Sequence, residues 1–186
     1  MKNEAIIRIV LTTAFILLLP LVAMQFTDEV AWDLADFVAA GALLLGTGFT
    51  YELVARKRSN IAYRAGVGIA LAAALLLVWA NLAVGIIGSE DNPANLLYVG
   101  VLAFGLIGAV IARLEPRGMA RALFATALAQ GLVPVMALII WRPLATSGVL
   151  GLFGVNAFFA MLFVGSALCF RRAVRERNGP GEEPPA

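Results

Sequence analysis

Apolar and polar positions alternate along this chain in long blocks. Six apolar runs extend from about Ile6 to Phe26, Trp32 to Val54, Ala65 to Gly88, Leu96 to Ala112, Ala122 to Trp141 and Gly148 to Phe170. A bilayer hydrocarbon core of about 30 Å is crossed by roughly 20 apolar residues in helical form. Backbone in hydrocarbon must satisfy its own hydrogen bonds, which helices do within one segment. The pattern therefore predicts an all-α integral membrane protein, a six-transmembrane-helix bundle occupying residues 1–177 as one domain. The last residues, 178–186, rich in Gly, Pro and Glu, predict a disordered cytoplasmic tail. The gaps are short, so consecutive helices pack as antiparallel hairpins. Pro20 is tolerated within the first run or kinks it. The rival reading of that run is a cleaved signal peptide, but it is long, and Ala23-Met24-Gln25 is a poor small-x-small cleavage site.

Charge orients the runs. Lys2 and Arg8 open the chain, Arg56, Lys57, Arg58 and Arg64 flank the second gap, and Arg113, Arg117 and Arg121 flank the fourth. Arg171, Arg172, Arg175 and Arg177 follow the sixth run, which leaves Arg142 as the one basic residue of the 14 on the other side. Cytoplasmic loops carry the excess of Lys and Arg, so both termini are placed in the cytoplasm and the outer rim is acidic. Hydrophobic residues make up 61% of the 186, and the mean hydropathy is +0.90, too apolar for a water-soluble domain of this size. A net charge of +2 and a pI near 9.0 do not signal nucleic acid, because the cations are spread over several short loops. Histidine is absent and Cys169 is the single cysteine. That composition excludes His-based metal or haem ligation, a Ser-His triad and an internal disulfide, and no cofactor is expected. Cys169, near the inner end of the last run, reads as small apolar packing, with palmitoylation or redox sensing as the alternative.

Few polar residues are placed to carry a function. Asp33 and Asp36 share one helix face at the outer mouth of the second run, either as solvated helix-start acids or as a pair that holds a proton or a cation. Trp32 and Trp141 read as interfacial anchors. The outer loop from Ser89 to Asn95 carries Glu90 and Asp91, whose spacing does not match a calcium loop. Asn92 and Pro93 there suit the cap and first position of the fourth helix. Asn81, Gln130 and Asn156 lie within apolar runs, where an unpaired amide is costly, so interhelical hydrogen bonds are the plain expectation. The sharper reading gathers Asp33, Asp36, Asn81, Tyr98 and Asn156 around a polar cavity open to the outside. Glu52 and Arg56 are one turn apart, spaced for an ion pair at the cytoplasmic interface, with a proton-coupling carboxylate as the alternative.

Small residues recur at four-residue spacing, as in Ala42 with Gly46, Gly66 with Ala70, and Gly105 with Ala109, forming faces that let helices approach within this chain or in another subunit. An offset of 57 superposes Arg56 on Arg113 and Arg64 on Arg121, but the intervening apolar residues match poorly as an internal repeat. The run from Trp79 to Gly88 leading into Ser89-Glu90-Asp91-Asn92-Pro93-Ala94-Asn95 resembles small multi-spanning inner-membrane proteins of bacteria, over the second to fifth helices. That resemblance implies a multi-pass protein of the bacterial inner (plasma) membrane and carries no activity with it. The functional expectation is a non-enzymatic accessory or scaffolding component, its partners the lipid bilayer and a membrane protein or a second copy. The alternative is a small transporter or channel for a cation or polar solute entering through the acidic outer vestibule.

Overall fold

The computed structural model describes residues 3–27, 30–56, 58–89, 91–141 and 146–178. Among them there is no strand. The elements are α1 (Asn3–Ala23), α2 (Leu34–Ala55), α3 (Ile61–Ala83), a 3-10 turn (Pro93–Asn95), α4 (Leu96–Ile111), α5 (Pro116–Trp141) and α6 (Thr146–Arg177). With the turn counted into α4, six helices are long and apolar enough to cross a membrane. The chain divides into two compact units, Met1–Lys57 and Arg58–Ala186.

The first unit is the antiparallel pair α1 and α2. Ile9 lies against Gly48 and Leu17 against Gly41, so that a Cβ added at Gly48 would stand 2.8 Å from Ile9 Cγ2. The outward side chains of α1 are large and apolar, with Val10, Leu11, Phe15, Leu18, Leu19 and Val22 each 46% to 67% exposed. A surface of that kind is stable in lipid and aggregates in water. Thr47 and Thr50 donate their hydroxyls back to the Leu43 and Gly46 carbonyls at 2.7 Å, which satisfies them inside an apolar helix.

The second unit is a ring of four helices. α6 packs along both α5 and α3, α4 packs along α5, and α3 meets α4. At one end Leu77, Ile87, Ala94, Tyr98, Val101, Val133, Ala137, Leu152 and Phe159, drawn from all four helices and the α3–α4 loop, form the apolar core. At the other end Phe170 packs edge-on against Tyr63, their ring centroids 5.1 Å apart, and over Gly66. Ser166 donates to the Gly66 carbonyl at 2.7 Å there, a hydrogen bond that needs the close helix approach a glycine allows.

Helix ends differ from the apolar runs for local reasons. α3 stops at Ala83 rather than near Gly88, because Gly85 takes a left-handed φ of 61° and returns its N–H to the Asn81 carbonyl, a glycine-terminated helix end. Asn81, expected well inside that helix, therefore sits in its last turn. Asn92 and Pro93 cap and open the 3-10 turn ahead of α4. Asn95 is buried and ties the loop together, accepting from Ile87 N–H at 2.9 Å and donating to the Ser89 carbonyl at 2.6 Å. α5 begins six residues before its apolar run and α6 continues seven residues past its own. At 32 residues α6 is about 48 Å long, well beyond a hydrocarbon core of about 30 Å.

Candidate functional site: a buried polar seam

Three fully buried polar side chains of the second unit meet where α4, α5 and α6 come together. Gln130, near the middle of α5, donates from Nε2 to Asn156 Oδ1 at 2.9 Å. Asn156 Nδ2 donates to the Tyr98 hydroxyl at 3.0 Å and to the Leu152 carbonyl one turn back at 2.8 Å. All three side chains are at most 1% exposed. One amide thus links three helices, and a partner for each polar atom is what apolar surroundings demand.

One atom of the seam is left over. Gln130 Oε1 has no hydrogen-bond partner among the described residues. Pro134, one turn on, has no N–H, so the Gln130 main-chain carbonyl also loses its usual helical donor. Gln130 Oε1 is thus a buried acceptor that a hydrogen-bond donor would satisfy.

The other expected site residues make different contacts. Asp33 and Asp36 belong to the first unit, where they form a reciprocal cap at the start of α2: Asp33 Oδ1 accepts from the Asp36 N–H and Asp36 Oδ2 from the Asp33 N–H, both at 2.9 Å. In the same unit Glu52 pairs with Arg56 at 2.8 Å, its side chain only 13% exposed. Asn81 is half-buried, and its Oδ1 has no partner among the described residues. Asp91 is exposed in the α3–α4 loop, and Glu90 lies outside the described residues. Of the expected cavity residues, then, Tyr98 and Asn156 come together, joined by Gln130.

Sequence reasoning missed a second polar cluster, at the arginine-rich end. Glu115, in the α4–α5 turn, pairs with Arg58 and with Arg177, each at 3.3 Å. Both contacts hold its carboxyl below the ordinary glutamate range, the Arg58 hydrogen bond foremost. Glu176 accepts from Arg172 at 2.8 Å and from Asn60 Nδ2 at 2.9 Å. The Tyr63 hydroxyl donates to the Leu114 carbonyl at 2.8 Å, and that carbonyl is presented by a turn in which Arg113 and Leu114 both hold left-handed φ, at 50° and 57°. The available signal was the presence of two acids, Glu115 and Glu176, in otherwise basic segments.

Fold and seam together define an all-helical protein with six helices able to cross a membrane. Comparison with protein-family models, with curated proteins and with solved structures finds no match to this chain.

Proposed function

We propose that this chain is a multi-pass protein of a bacterial inner membrane, with both termini in the cytoplasm, and that it acts without catalysis as a component that assembles through its helices. The observation that carries the reading is a stripe on α2. Ala35, Ala39, Ala42, Gly46 and Thr50 follow one another at three- and four-residue spacing and are all exposed, and a Cβ placed at Gly46 would meet nothing within 4 Å. In lipid a face of small residues gains dispersion contacts when another helix lies close along it. The seam supports the same reading, since Asn156 spends its amide on packing α4, α5 and α6 together. Asp33 and Asp36, the acids of the alternative vestibule reading, have a local role as the cap of α2, each spending one carboxylate oxygen on a backbone amide.

Native mass spectrometry from lipid nanodiscs tests this. The wild-type chain is expected as a defined homo-oligomer or complex, and Gly46→Leu, which fills the stripe, is expected to release the monomer. A wild-type monomer with no reproducible partner, or an assembly indifferent to Gly46→Leu, would overturn the proposal.

A further inference from the structure

The helical extensions of α5 and α6 enclose a groove of about 410 Å³ lined by Arg117, Ala120, Arg121, Phe124, Arg171, Val174 and Arg175. We propose that this groove holds the phosphate headgroup of an anionic phospholipid, with the four arginines on the phosphate and the acyl chains running from Phe124 down the outer face of the two helices.

Charge is the first argument. Glu115 and Glu176 are taken up by Arg58, Arg177, Arg172 and Asn60. Among the described residues no carboxylate pairs with Arg117, Arg121, Arg171 or Arg175. Four uncompensated guanidiniums around one groove make a concentrated positive potential, and guanidinium forks suit phosphate oxygens two at a time. The arrangement is regular: Arg117 and Arg121 are one turn apart on α5, as Arg171 and Arg175 are on α6, so each helix sets one arginine in each of two tiers.

The floor decides between a lipid and a free anion. Ala120 is buried, Phe124 and Val174 are half-buried, and the Arg171 guanidinium lies 6.0 Å from the Phe124 ring centroid. Ala120, Phe124 and Val174 would give a wholly hydrated phosphate no partner, whereas a glycerol backbone has apolar surface to lay on them. Leu128, one turn beyond Phe124, and Leu168, three residues before Arg171, are 67% and 50% exposed, so the groove opens into the apolar band where acyl chains lie. The volume falls within the about 300–1,000 Å³ of small-molecule sites. Basic recesses between helices at a membrane surface are recognised sites for anionic headgroups. This inference does not depend on the α2 stripe.

The test is native mass spectrometry of the full chain from nanodiscs of phosphatidylcholine doped with phosphatidylglycerol or with cardiolipin, at fixed ionic strength. The wild type is expected to keep one anionic lipid at collision energies that strip phosphatidylcholine. Arg121→Gln with Arg171→Gln is expected to lower that retention about tenfold or more. The control pair Arg64→Gln with Arg113→Gln removes the same charge from exposed arginines outside the groove and is expected to leave retention intact. Equal loss in the control would mean unspecific surface charge and would overturn the site. Displacement of the lipid by millimolar inorganic phosphate, or no preference for anionic lipid over phosphatidylcholine, would overturn the lipid assignment.

Discussion

Asn156 is the residue on which the seam depends, because its single amide serves Gln130, Tyr98 and the Leu152 carbonyl at once. Replacing it with alanine strands the Gln130 amide and the Tyr98 hydroxyl in apolar surroundings. Each buried group left without a partner costs about 1–3 kcal/mol, so Asn156→Ala is expected to destabilise the protein by about 2–4 kcal/mol. Tyr98→Phe removes one interhelical hydrogen bond and should cost only about 0.6 kcal/mol. Reversible unfolding in mixed micelles measures both. Equal small losses would mean that apolar packing alone holds α4, α5 and α6 together. The polar residues of this region were legible in the sequence as costly amides, but their partners were not. Gln130 and Asn156 are 26 positions apart, Tyr98 and Asn156 58, and no local spacing relates them.

At the scale of elements, the ends of the helices carry information that their apolar middles do not. The apolar runs located all six helices, since hydropathy contrast with the loops is strong there. That contrast vanishes where a helix continues through residues 116–121 or 171–177, so the extensions that build the arginine groove were not visible as helix. Glu115 holds two elements at this end, with Arg58 ahead of α3 on one side and Arg177 at the end of α6 on the other. Its folded carboxyl is held below its ordinary value, so its ion pairs add stability above about pH 4.3 and lose it as the pH falls through the lowered folded value. Glu115→Gln should therefore be less stable than wild type at neutral pH by a small margin, with the difference closing in acid. Parallel thermal melts in detergent across pH 3 to 7 check this, and a gap that widens in acid would contradict it.

Six helices with large exposed apolar side chains make up the chain, and within the second unit arginines gather around the α4–α5 turn and the end of α6. Six helices long and apolar enough to cross a membrane were legible because each apolar run has the length a bilayer core needs. The division into Met1–Lys57 and Arg58–Ala186 was not, because an apolar hairpin and an apolar four-helix ring have the same composition and differ only in which faces meet. In the proposed topology these helices thread the bilayer six times, with the arginine-rich end inside and the α3–α4 loop outside. Single cysteines in a Cys169→Ala background test it most directly. In intact cells, a membrane-impermeant thiol reagent is expected to label Asp91→Cys and to spare Ser59→Cys until the membrane is opened. Labelling of Ser59→Cys with Asp91→Cys protected, or equal labelling of both in intact cells, would contradict the threading.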